Sequence, residues 1–147
     1  MRPLQELLGN PQRSGIMRYA GSADELESNA KAAGLAVHKI DLAAARGKKG
    51  WIDALAGALK FPGYFGANWD ALDECLRDLQ WIDAKGWLLL ITNGATFSTK
   101  NRRIWKTALT VMQSGAEHWR AEGKPFWVVF LDVDQRALPE LPELTAN

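Results

Sequence analysis

A chain of 147 residues, 47% of them hydrophobic and seven of them tryptophan, can bury one sizeable core, and its single cysteine excludes an internal disulfide. A formal net charge of +1 leaves no global field pointing to nucleic acid, a membrane or a strongly basic partner. No apolar run approaches about 18 residues and no basic-then-apolar leader opens the chain, so the sequence reads as that of a soluble cytoplasmic protein.

In chain order, Pro3 to Gly9 predicts a short helix with proline near its start, ended by the Asn10-Pro11 step. Ile16 to Ala20 predicts a short strand. Ser22-Ala23-Asp24-Glu25 fits a capping box, with Ser22 as N-cap and Glu25 reaching back. The helix it opens has Leu26, Ala30 and Ala33 as its apolar stripe, and Gly34 stands where a left-handed ending residue belongs. Leu35 to Leu42 reads as a strand. His38 within it has no second ligand at metal spacing, so it reads as a packed residue and no metal is expected. A basic turn from Arg46 to Gly50, whose cations read as solvation, precedes a helix with Trp51, Ile52, Leu55, Ala58 and Leu59 at helical spacing.

Residues 61–80 are the most informative stretch. Pro62, Gly63 and Gly66 break what precedes, and Asn68 is a good N-cap for a helix. At about 100° per residue, Trp69, Leu72, Cys75, Leu76 and Leu79 fall on one side, and Asp70, Asp73, Glu74, Arg77 and Asp78 on the other. The apolar side must pack on a core, so the acidic side must face out. Asp70 and Glu74, and Glu74 and Asp78, are like charges four apart, each pair opposing the helix by roughly 0.2–0.5 kcal/mol. Arg77 relieves Asp73 and Glu74, and the macrodipole favours Asp70. Residues 69–83 still set five carboxylates against one guanidinium. A plain solvated face is one account of this; a local rule broken without compensation is also where function tends to sit. Cys75, on the apolar side with no base near it in sequence, reads as a structural thiol.

Trp87 to Thr92 is a continuous apolar run of the kind buried on both faces of a parallel sheet. Asn93-Gly94 reads as a loop. A long helix is predicted over 99–122, with Lys100, Arg102, Arg103 and Lys106 outward near its start and Gly123 and Pro125 stopping it. Phe126 to Leu131 is the last strand, and the proline-bearing tail has no periodicity. The alternation implies an α/β fold with a parallel sheet of three to four strands. No glycine-rich phosphate loop follows any strand, and no catalytic arrangement is supported by a second group.

The run Phe61-Pro62-x-Tyr64-Phe65-Gly66-x-Asn68-x-Asp70-Ala71-Leu72-x-x-Cys75-Leu76 resembles the signature of the barstar family, intracellular inhibitors of barnase-type ribonucleases. The resemblance is dense here and colinear from about Leu35 to Asp132. It implies three parallel strands packed with helices over 35–132, with 133–147 as a C-terminal tail. Residues 1–34 then form an N-terminal extension adding a fourth strand, expected beside the strand at 35–42. It also implies a non-catalytic protein without cofactor or small-molecule substrate, whose helix and preceding loop plug the basic cleft of a ribonuclease or related toxin.

Carried over to this sequence, Tyr64 matches an aromatic that packs on the enzyme, and Gly66 and Asn68 match contact positions of the loop. Asp70 matches one principal helix carboxylate, and Glu74 stands at the second, where the family prototype has aspartate. Asp73 replaces a contact tryptophan, Ala67 a loop glutamate, Leu79 an interface tryptophan, and His118 a glutamate of the long helix. These departures point to a related basic enzyme rather than barnase itself. The partner-binding set is therefore Tyr64, Gly66, Asn68, Trp69, Asp70, Asp73, Glu74, Arg77 and His118, with nucleic acid and membrane not expected as partners. Tyr64 as a loop anchor, Asn68 as a cap alone and His118 as a plain helix residue are the structural alternatives. The functional alternative is a barstar-fold interaction module that does not inhibit ribonuclease.

Overall fold

The computed structural model describes residues 3–62, 68–131, 138 and 140–145. Along them run helix α1 (Pro3–Leu8), strand β1 (Ile16–Arg18), helix α2 (Ala23–Ala32), strand β2 (Leu35–Asp41) and helices α3 (Gly47–Leu59) and α4 (Trp69–Asp78). Strand β3 (Gly86–Thr92), helices α5 (Gly94–Lys100) and α6 (Arg102–Ala121) and strand β4 (Phe126–Phe130) follow. Local chemistry accounts for several boundaries. Ser22 Oγ accepts from the Glu25 N–H at 3.2 Å to start α2, and Gly34, at φ 88°, ends it. Gly123, at φ 77°, does the same for α6.

The four strands are all parallel, in the order β1-β4-β3-β2. Leu88 of β3 aligns with Val37 on one side and Trp127 on the other. All of β4, and all of β3 except Thr92, is buried, as a continuous apolar run in a doubly covered parallel sheet should be. One face is covered by α3 to α6, which bring Trp51, Leu72, Leu76 and Trp105 against Trp87, Leu89, Val128 and Phe130. The other is covered by α1 and α2, whose Leu4, Leu8, Leu26 and Ala30 meet Leu88, Leu90, Trp127 and Val129.

The extra strand does not lie beside β2. It pairs with β4 at the opposite edge, Ile16 aligned with Val128. The physical reason is coverage. From that edge, α2 must cross the sheet to reach β2, and the crossing lays its apolar stripe over the second face of β3 and β4.

Three further expectations are corrected. The basic turn at 46–50 is already helical from Gly47, so Lys48 and Lys49 ride on the first turn of α3. Asn93-Gly94 is not an open loop: Asn93 adopts φ 64° and Gly94 opens α5. A Cβ at Gly94 would stand 2.5 Å from the Phe130 ring, so only glycine permits this approach. The long helix expected over 99–122 forms as α6 from Arg102 to Ala121, but residues 99–100 end the separate α5, with the break at Asn101 (φ −136°, ψ 55°). There Asn101 Oδ1 accepts from the Gly47 N–H, 3.1 Å away, a tertiary bond that periodicity does not reveal.

The tail is docked where it is described. Leu138, Leu141 and Leu144 are buried. The Arg18 N–H donates to Pro142 O and the Leu144 N–H to Arg18 O, so the outer edge of β1 is occupied. Deep in the second face, Trp127 Nε1 donates to Leu8 O at 2.8 Å, fastening α1 to the central sheet. Trp127→Phe should lower unfolding free energy by about 1–3 kcal/mol, because it strands that buried carbonyl. A urea titration with an unchanged m-value and a lower midpoint is the expected result.

Candidate functional site: the acidic helix

Helix α4 begins where Asn68, in extended conformation (φ −132°, ψ 173°), turns its Oδ1 to accept from the Ala71 N–H at 2.8 Å. It ends at Leu79, whose φ of 48° is unusual for a leucine; the Leu79 N–H closes on Cys75 O. Burial of the Leu79 side chain in the same core holds that conformation. Leu72, Cys75 and Leu76 point into the core. Against α6 the approach is close, because a Cβ on Gly115 would already stand 3.4 Å from Leu76 Cβ. Trp119 Nε1 then donates to Leu76 O at 2.7 Å. Gly115 and Trp119 thus set the position of α4. The role of Gly115 was missed in the sequence, where its only mark is a lone glycine inside a long helical pattern.

With that side buried, Asp70, Glu74 and Arg77 are exposed, one turn apart on the outer face. Asp73 is only 28% exposed, and its Oδ2 receives Arg77 Nη2 at 3.0 Å and Nε at 3.2 Å. Arg77 therefore relieves Asp73 alone and not Glu74 as well, in keeping with the better geometry of an acid four residues before its base. Asp73 Oδ1 is buried without a hydrogen-bond partner among the described residues. Asp70 and Glu74 have no ion pair among the described residues.

The other expected site residues are placed less uniformly. Trp69 is half-buried against the core, so it belongs to the helix's seat more than to its outer face. His118 lies on α6, half-exposed, with its ring edge-on to Trp119 at 4.8 Å. Trp119 bonds Leu76, which sets His118 by the C-terminal half of α4. Asp70 stands in the first turn, about 9 Å further along the axis. Tyr64 and Gly66, with Ala67, lie outside the described residues.

A second concave feature sits at the C-terminal ends of β2 and β3, where open α/β sheets commonly take small ligands. This crevice of about 300 Å³ is lined by Asp24, Glu27, Lys39, Asp41, Leu90 and Thr92, among others. Three of its charged groups, Glu27, Lys39 and Asp41, are already engaged within the chain. Glu27 bridges Lys31 and Lys39 at 2.8 and 2.9 Å, and those hydrogen bonds hold its carboxyl below the usual range. Asp41 accepts from the Ala43 N–H and from Asn93 Nδ2, which lower its pKa in turn. His38, half-buried on β2, is pushed down chiefly by burial. Among the described residues, no group of three or more His, Cys, Asp or Glu could hold a metal ion, and no helix is long and apolar enough to cross a membrane.

The fold and site together define an α/β scaffold that seats one helix by its apolar side and leaves two exposed carboxylates outward, without an ion pair among the described residues. The chain belongs to the barstar family: the family's sequence model, described as barstar (barnase inhibitor), matches residues 35–131, well over half of its length. None of the curated proteins compared with it matches. Among solved structures it is similar to the Aeropyrum pernix ORC2 protein (ADP form), with a TM-score of 0.61 and 16% identity over 93% of this chain. The chain spans 40% of that structure, and at this identity the likeness shows the fold alone.

Two outcomes check this geometry. Asn68→Ala removes the cap of α4 and should reduce stability by about 1 kcal/mol in thermal or chemical unfolding. Burial, then the charges of Asp78 and Glu74, push the Cys75 thiol above its ordinary pKa, so it is protonated at neutral pH. A thiol reagent at pH 7 should label native Cys75 far more slowly than the unfolded chain.

Proposed function

We propose that this protein binds a small basic ribonuclease, or a related toxin, and inhibits it by laying α4 and the segment before it across the enzyme's active-site cleft. One observation carries the reading. Asp70 and Glu74 are exposed neighbours on a rigidly seated helix and have no countercharge among the described residues. Such carboxylates can occupy the positions of RNA phosphates and take charge-assisted hydrogen bonds from the cleft's Arg, Lys and His. No bond is made or broken; inhibition is occlusion. Opposite fields would speed encounter and make it salt-sensitive.

The departures from the family pattern bear on which enzyme is bound. Asp73, tied to Arg77, sets a charge where the family carries an aromatic contact, and Glu74 reaches one methylene further than aspartate. Both favour a cognate enzyme with a more basic and less apolar rim than barnase. A protein of this kind acts in the cytoplasm, where a ribonuclease endangers the cell's own RNA.

The experiment is RNA cleavage by a purified barnase-type ribonuclease titrated with the protein, alongside direct binding measurements. Stoichiometric loss of cleavage, weakening as salt rises, is expected. Each carboxylate is assigned bonds of about 1.5–3 kcal/mol, so Asp70→Ala with Glu74→Ala should weaken binding at least a hundredfold. An unchanged affinity in that variant overturns the reading. Binding without loss of cleavage would identify an interaction module instead.

A further inference from the structure

The two basic clusters of the sequence, 54 residues apart, are one surface in the fold. The Gly47 N–H to Asn101 Oδ1 bond joins the start of α3 to the start of α6. Arg46 and Lys48 flank one end of that bond, and Lys100 and Arg102 flank the other. Arg103 and Lys106 extend the patch along α6, and all six cations are exposed. None of the six has an ion pair among the described residues; the neighbouring Lys49 is neutralised by Asp53.

The arrangement runs against local helix electrostatics. Neither α3 nor α6 has an acid in its first turn or a side-chain hydrogen bond at its N-cap. Both carry cations at the positive end of the helix dipole, where acids are favoured. The positive ends of two helix dipoles therefore add to the field of the side chains.

We infer that this face binds the phosphate backbone of nucleic acid, without reading its sequence. The surroundings select this partner over an acidic protein. Protein interfaces draw their energy from buried aromatic and apolar anchors, and this face exposes no large one among the described residues. Between and beside the cations stand the exposed Thr96, Thr99 and Thr107. A small, polar, cation-studded surface fits phosphate oxygens, and release of counterions supplies the driving force. With no exposed aromatic on this face among the described residues, single strands gain nothing specific from their bases.

The test is fluorescence anisotropy of the full-length chain with a labelled single-stranded RNA of about 20 nucleotides, from about 50 to 200 mM salt. Binding is expected, with a linear decrease of log K against log salt and a slope near −4 if six phosphates are neutralised. The triple variant Arg102→Gln, Arg103→Gln, Lys106→Gln should flatten that slope by about 2 and weaken binding at least tenfold at about 100 mM salt. Its thermal midpoint should be unchanged or higher, because the cations removed oppose the dipole. Three results would each overturn the inference. They are no binding by the parent protein at about 50 mM salt, equal binding by the triple variant, and equally strong binding of polyglutamate at matched charge. Sedimentation gives a fourth: self-association abolished by the triple variant would assign the face to a second copy's acidic helix.

Discussion

The constraint behind everything else is the central pair of strands, β3 and β4, whose side chains are apolar on both faces. Backbone polarity is satisfied within the parallel ladder, but each face must still be removed from water by other elements. On one side that demand is met by α1, α2 and Leu144 of the tail, on the other by α3 to α6 with Leu138 and Leu141. Helix α4 is recruited for its apolar side. Its acidic side faces out as a geometric consequence.

Magnitudes show why the helix tolerates such a face. Fully burying a leucine contributes about 1.5–3 kcal/mol, and α4 buries Leu72 and Leu76 completely, with Leu79 beyond its end. Repulsion between like charges one turn apart opposes this by roughly 0.2–0.5 kcal/mol per pair. Packing wins several-fold, so the outer positions are free to be chosen for something other than helix stability. The same logic covers the starts of α3 and α6. A cation there opposes the dipole by about 0.3–1 kcal/mol, small beside the complete burial of Trp51 and Trp105 one turn further in. A formal net charge of +1 thus conceals two surfaces of opposite sign, each set against the preference of its own helix.

Arg77 illustrates how one geometric detail partitions a charge cluster. By binding Asp73 it removes that carboxylate from the outward field, and with Asp78 half-buried and accepting from Gln80, Asp70 and Glu74 are left as the exposed acids of the helix without an ion pair among the described residues. Composition alone counts five acids over residues 69–83 as equals; the side-chain bonds make them unequal.

The sequence by itself determined strands over 35–42, 87–92 and 126–131, each within a residue of β2, β3 and β4, the cap at Asn68 and the two sides of α4. These depend on period, on end-capping chemistry and on unbroken apolar runs, all of which are local. It carried the family as well, through the dense run at 61–76. Tertiary structure alone decided the place of β1, because strand order depends on which sheet face needs covering and not on the strand's own residues. It alone decided the break at Asn101, which answers to the Gly47 N–H fifty-four residues away. The seat of α4 against Gly115 and Trp119, and the union of two basic clusters into one face, belong to the same class. Each is a contact between segments distant in the chain, and periodicity within either segment holds no record of the other.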